Sequence, residues 1–224
     1  MDYLDIVKYD WGLTGISTDY SPWQVFLYGS VTIAMINKKV ALLAFGANLP
    51  FDGMTPDQTV HAAVSSFPSV NLAPPELSRL FATPCFPAGA GPDYVNAAAL
   101  LQVDQSLSAK MLLARLHQLE NMFGRQRNAR WGMRTLDIDL LAFGDLILPD
   151  EATQAYWRNL DPALQARAAP DQLILPHPRL QDRAFVLVPL ADVAPNWRHP
   201  LLHLTVAQMV AALPAGDLSE MRPL

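Results

Sequence analysis

From residue 40 onward the alternation of apolar and polar positions resolves into short elements. Val40-Ala41-Leu42-Leu43-Ala44-Phe45-Gly46 is an unbroken apolar run closed by glycine, which predicts a buried strand. Asn48–Gly53 reads as a loop. Thr55-Pro56-Asp57 then opens a helix, with Thr55 as N-cap and Pro56 at the first helical position, running to Ser66. Glu76–Ala82 is a predicted strand, Thr83–Pro92 a loop punctuated by prolines and glycines, and Tyr94–Val103 a second long strand. Ser108 caps a helix whose Met111, Leu112, Leu116 and Leu119 recur at helical spacing, and Gly124 ends it. Thr135–Phe143 is a further strand. The order β-α-β-β-α-β is the split βαβ pattern, so the expected fold class is α+β, a ferredoxin-like sheet with helices packed on it.

Two segments stand outside that pattern. Pro149–Asp171 is an insertion rich in Ala, Gln and Arg, with one helix expected at Glu151–Arg158 and a second at Ala163–Ala168 behind the cap Asp161-Pro162. Beyond it, Leu173–Leu175 is extended, Pro176–Arg183 is loop or turn, Ala184–Leu190 is apolar, and Thr205–Leu213 is a C-terminal helix with Val206, Met209, Val210 and Leu213 on one stripe. Residues 1–34 differ from the rest. They hold Asp2, Asp5, Asp10 and Asp19 against Lys8 alone, and their aromatic residues follow neither period. They are expected to be an extension to a domain spanning 35–224, with Met35 as a candidate start; an extra element packed on the domain is the alternative.

Composition narrows the function classes. Hydrophobic residues make up 51% and charged residues 17%, which excludes disorder and coiled coil for the whole chain. A net charge of −5 argues against a general binder of nucleic acid or anionic membrane. A single cysteine, Cys85, forms no internal disulfide or Cys-rich zinc site and fits a reducing compartment. No run of 18 apolar residues is present, and the first residues lack the basic flank of a secretory signal, so the expected location is cytoplasmic.

Several familiar sites are ruled out. No Gly-Lys-Ser/Thr is found, and Tyr94 stands where a dinucleotide fingerprint begun at Gly89-Ala90-Gly91 needs its third glycine. His199 and His203 have i,i+4 spacing but Pro200 lies between them, and they read as surface histidines. The informative stretch is Gly124–Asp139. Arg125, Arg127, Arg130 and Arg134 fall within ten residues with no acid among them, in a segment without periodicity. Guanidinium forks match phosphate oxygens. Asp137 and Asp139 follow on a strand of otherwise apolar residues. Alternation puts both carboxylates on one face, about 6.5 Å apart. Such a pair suits Mg²⁺, one ion or two bridging a polyphosphate. That both acids simply pair with the arginines is the competing reading. Together these residues point to Mg-nucleotide phosphoryl transfer.

Arg130-Trp131-Gly132-Met133-Arg134-Thr135-Leu136-Asp137-Ile138-Asp139 closely resembles the signature of the 6-hydroxymethyl-7,8-dihydropterin pyrophosphokinase family of folate biosynthesis. Phe45-Gly46-Ala47-Asn48-Leu49, Thr83-Pro84, Pro92-Asp93-Tyr94-Val95-Asn96, Leu175-Pro176-His177-Pro178-Arg179 and Arg183-Ala184-Phe185 match in the same order. The resemblance implies transfer of pyrophosphate from ATP to the pterin hydroxymethyl oxygen, releasing AMP. It makes Asp137 and Asp139 ligands of two Mg²⁺ ions, and Arg125 and Arg134 catalytic arginines. Arg127, Arg130, His177, Arg183 and Glu120 fall on the ATP side. Thr83, Pro84, Phe86, Tyr94, Asn96, Trp131 and Phe185 fall on the pterin side. Glu120 has a solvent-facing helix residue as its alternative reading, and without the resemblance Phe185 reads as core. Departures from the family are Ala47 for Ser, Pro50 for Gly and Met133 for Pro. The implied partners are the two small substrates, with no nucleic acid or membrane, on a monomer or weak homodimer. A magnesium-dependent nuclease or nucleotide hydrolase, and a non-catalytic ferredoxin-like binding module, are the rival readings. The first does not explain Tyr94, Asn96 and Phe185; the second would be favoured had an aspartate of the pair or Arg134 been lost, and neither is.

Overall fold

The computed structural model describes residues 38–85, 89, 91–124, 134–161, 164 and 168–224. The expectations for residues 1–34, for Phe86, Arg125, Arg127, Arg130 and Trp131, and for most of the second insertion helix therefore lie outside the described residues. Residues Lys38–Leu224 form one compact unit.

The unit runs β1 (Lys38–Ala47), α1 (Pro56–Ser65), β2 (Glu76–Leu77), β3 (Phe81–Thr83), β4 (Tyr94–Asp104), α2 (Ala109–Met122), β5 (Asp137–Phe143), α3 (Glu151–Arg158), α4 (Ala184–Val193), α5 (Val206–Ala211), α6 (Ala215–Ser219) and β6 (Arg222–Pro223). The strands form one antiparallel sheet in the order β5-β1-β4-β3-β6, with β2 also on β4. This is the α+β, ferredoxin-like architecture expected from the sequence. The interior strand β1 is apolar from Val40 to Ala47, where both its faces are covered. On one face Leu43, Phe45, Leu101 and Ile138 meet Val60 and Ala63 of α1 and Leu112, Leu116 and Leu119 of α2. On the other, Leu42, Ala44 and Ala98 meet Val186, Leu187 and Leu190 of α4. The apolar run at 184–190 is thus a helix, Ala184–Val193. Helix starts follow the capping chemistry: Ser108 accepts from the Met111 N–H, and Thr205 and Gln208 form a reciprocal box.

Three expectations are corrected. The single strand Glu76–Ala82 is two strands, because Leu77 pairs with Ala99 but Phe81 with Asn96, leaving one extra residue on the outer chain. At that bulge the Ser78 hydroxyl accepts from the Ala98 N–H (2.9 Å), and Arg79 turns outward to a two-pronged ion pair with Asp192. The chain does not close on a helix at Leu213: β6 adds to β3, and the Leu224 N–H donates to Leu80 O (3.0 Å). His199 is not a surface residue but fully buried. Its Nδ1 accepts from the N–H groups of Leu201 and Leu202, both at 3.2 Å, and closes a turn, while His203 stays exposed.

Candidate active site

Sheet register gathers the site. Residues directly opposite each other in an antiparallel pair point to the same face. Asp137 lies opposite Gly46, Gly46 opposite Asn96, and Asn96 opposite Phe81. Two residues along, Asp139 lies opposite Ala44 and Tyr94 opposite Thr83. Asp137, Asp139, Asn96, Tyr94 and Thr83 thus share the face that carries α4. Gly46 puts no side chain between Asp137 and Asn96. The alternation expected for β5 is present: Ile138 and Leu140 are buried while Asp137 and Asp139 are partly open. Of the residues expected on the pterin side, Asn96 donates from its amide to Thr83 Oγ1 at 2.7 Å, both residues being buried. Pro84 is exposed, and buried Cys85 closes the loop beyond it, its Sγ accepting from the Gly91 N–H (3.2 Å).

Asn48 ties together the loops that frame this face. Only 2% exposed, it accepts at Oδ1 from the Arg134 N–H (2.9 Å) and donates from its amide to Pro92 O (3.3 Å). The N–H groups of Asn48 and Leu49 both donate to Arg134 O. The root of the arginine segment is therefore fixed against β1 and the entry to β4. Arg134 forms an ion pair with Asp137, so one acid of the pair does meet an arginine. Burial raises the Tyr94 hydroxyl above its ordinary value, opposed by the nearby Arg134 and reinforced by Asp137.

Glu120 is fully enclosed rather than solvent-facing. Its Oε1 accepts from the Ile138 N–H at 2.8 Å. β5 is an edge strand, and the carboxylate takes the place of a neighbouring strand at the residue between the two aspartates. Thr135 adds a second tie, donating to Phe123 O at 2.6 Å.

Beside Asp139 lies a cavity of about 290 Å³. Part of its lining is charged or polar, with Asp139, His177, Arg179 and Arg183; the remainder includes Leu113, His117, Leu140, Trp157, Leu173 and Ile174. The His177 backbone N–H donates to Leu141 O (2.7 Å), anchoring the segment on β5. Its Nδ1 accepts from the Arg179 N–H (3.1 Å). Burial, and then Arg183, lower the imidazole to about 3, so near neutral pH it is uncharged with the proton on Nε2. Burial also lowers Arg183, opposed by the facing Asp139. The Arg183 guanidinium lies over the ring of Phe185, 5.6 Å from its centre. Phe185 is 41% exposed in the first turn of α4, not core as its hydrophobicity alone implies.

Among the described residues, no group of three His, Cys, Asp or Glu side chains converges as a metal cage. Mg²⁺ does not require one. It is commonly held by one or two carboxylates with phosphate oxygens and water completing the shell, and Asp137 with Asp139 supplies that donor set.

Asn48 stands in the matched Phe45–Leu49 motif, but the sequence gives it no role. Gln154 and the cavity residues Leu113, His117 and Trp157 carry no sequence signal, because their neighbours come from distant parts of the chain.

The sequence profile of the 7,8-dihydro-6-hydroxymethylpterin-pyrophosphokinase family matches residues 42–195. A Haemophilus influenzae 2-amino-4-hydroxy-6-hydroxymethyldihydropteridine pyrophosphokinase is 34% identical over 160 residues, 69% of this chain and 81% of that protein. A Synechocystis protein of the same name is 43% identical over 119 residues, 53% of this chain and half of that protein. Among solved structures, wild-type Plasmodium falciparum HPPK-DHPS superposes with a TM-score of 0.51 at 14% identity, over 78% of this chain and 44% of that one; the likeness is one of fold.

Proposed function

The chain belongs to the 7,8-dihydro-6-hydroxymethylpterin-pyrophosphokinase family, and on that premise we propose that it transfers pyrophosphate from ATP to 6-hydroxymethyl-7,8-dihydropterin in folate biosynthesis, in the cytoplasm and with magnesium. One observation carries the reading. The carboxylate pair sits between a cluster suited to a flat heterocycle and a cavity suited to a polyphosphate.

On the acceptor side, Asn96 and Thr83 offer both donor and acceptor atoms at the sheet surface, as a pterin edge requires, and Tyr94 offers a ring. Phe185, held under Arg183, supplies a second, exposed ring. On the donor side, Arg183 provides charge and neutral His177 provides an Nε2–H donor toward the triphosphate. Arg125, Arg127 and Arg130 add phosphate contacts and Trp131 and Phe86 add pterin contacts in this reading, as the motif match implies. Asp137 and Asp139 would hold Mg²⁺, which when bound draws charge off the phosphate oxygens. In the transfer, the pterin hydroxymethyl oxygen attacks the β-phosphorus. The bond from that phosphorus to the α–β bridging oxygen breaks, AMP departs, and the hydroxyl proton passes to water. The protein's part is alignment and charge stabilisation, the main requirements of phosphoryl transfer. Arg134, paired with Asp137, would exchange that partner for a phosphate oxygen as charge develops. Glu120 is a positioning residue, acting through β5 on the two aspartates.

The test is product identity. With MgATP and the hydroxymethyl-dihydropterin, AMP should form only when the pterin is present, and EDTA should stop it. ADP formation, or hydrolysis without pterin, overturns the reading in favour of a hydrolase.

A further inference from the structure

The cavity beside Asp139 has a wall that the core sheet does not supply. It comes from α3, the first helix of the insertion. Asp150 caps this helix, accepting from the Thr153 N–H at 2.8 Å. The buried residue of its inner face is Gln154, at 0% exposure. The Gln154 amide donates to Pro176 O (3.1 Å), and its Oε1 accepts from Arg158 (3.2 Å). Pro176 directly precedes His177, so the helix is tied to the backbone that presents the His177 imidazole. Trp157 follows Gln154 by three residues and shares its face. It lines the cavity with Leu113, His117 and Leu140. At about 290 Å³ the space is near the lower end of small-ligand pockets, roughly 300 Å³ and upward, and far too small for a macromolecular partner. Its charged lining suits phosphates. Its apolar and aromatic lining is left for a planar, uncharged group.

We propose that Trp157, brought in by the insertion and fixed by Gln154, packs against the nucleobase and sets nucleotide affinity in this chain. The inference rests on the reading that ATP is the donor. An aromatic face opposite a base contributes enough, by alanine substitution, to change affinity about tenfold.

The experiment measures binding to the full chain by calorimetry, for wild type and for Trp157→Ala, Trp157→Leu and Trp157→Phe. Two ligands are used with Mg²⁺: α,β-methylene-ATP, whose cleavable bridge is blocked, and inorganic tripolyphosphate, which has no base. Trp157→Ala is expected to weaken the nucleotide about tenfold and leave tripolyphosphate unchanged, with Trp157→Phe close to wild type. If circular dichroism shows the alanine variant unfolded, Trp157→Leu carries the comparison, with a several-fold loss for the nucleotide alone. Equal weakening of both ligands makes Trp157 structural and overturns the proposal, as does unchanged affinity for both. Wild type forming AMP from ATP and pterin while the variants bind normally sinks this inference alone. Wild type binding neither ligand sinks it together with the ATP reading.

Discussion

Glu120 offers the sharpest test of how the site is held. Its carboxylate is wholly enclosed and accepts from the Ile138 N–H, between Asp137 and Asp139. Glu120→Leu keeps the packing volume similar and removes the acceptor, leaving a buried backbone N–H unsatisfied. That omission costs about 1–3 kcal/mol. For a chain of this size, about 2–4 °C of melting temperature is lost per kcal/mol, so a fall of several degrees is expected. The strand end also loses its fixed position, and displacement of reacting groups on the order of 1 Å can cost about 10²-fold in rate. Turnover should drop by about that factor while the KM for ATP moves little. Glu120→Gln retains an oxygen acceptor for Ile138 and should keep most of the rate. Urea unfolding and steady-state kinetics on both variants read these effects. If both substitutions instead raise the KM for ATP alike at undiminished stability, Glu120 touches the nucleotide and the strut argument fails.

Three further outcomes are expected. Asp139→Ala should abolish AMP formation yet leave the circular dichroism spectrum and melting temperature close to wild type, since Asp139 faces the open cavity; normal turnover would remove it from the metal site. Asn48→Ala severs the links to Arg134 and Pro92 and should cost about 1–3 kcal/mol in urea unfolding, with a loss of turnover; an unchanged midpoint would show that the loops are held otherwise. Burial lowers His199 to about 4 from an ordinary value of 6.5, so between those values the unfolded chain binds the proton more readily. Its contribution to stability therefore declines as pH falls through that window, by up to about 3 kcal/mol. His199→Asn, which keeps an acceptor for Leu201 and Leu202, should flatten the pH dependence; parallel unfolding curves for the two proteins between pH 6.5 and 4 would contradict this.

Local chemistry was enough for much of the molecule. The apolar run at 40–46, the caps Thr55 and Ser108, the stop at Gly124 and the alternation around Asp137 and Asp139 each depend on a few neighbouring residues. They therefore set the ferredoxin-like order and the acidic pair by local sequence alone. The matched motifs added the family. Tertiary structure decided what depends on partners far along the chain. Whether Glu120 faces water or β5 turns on an edge strand 18 residues later. Whether Phe185 is core depends on which face of α4 meets the sheet. The break at Ser78 follows from one surplus residue against β4, which no hydrophobic pattern records. His199 is buried because a turn closes around its ring nitrogen. The insertion, which carried no recognisable site as sequence, acquires one only when Gln154 finds the Pro176 carbonyl 22 residues away and sets Trp157 beside the cavity. Periodicity reports the side a residue prefers, whereas burial and hydrogen bonding report what it meets there, and only the folded chain brings those partners together.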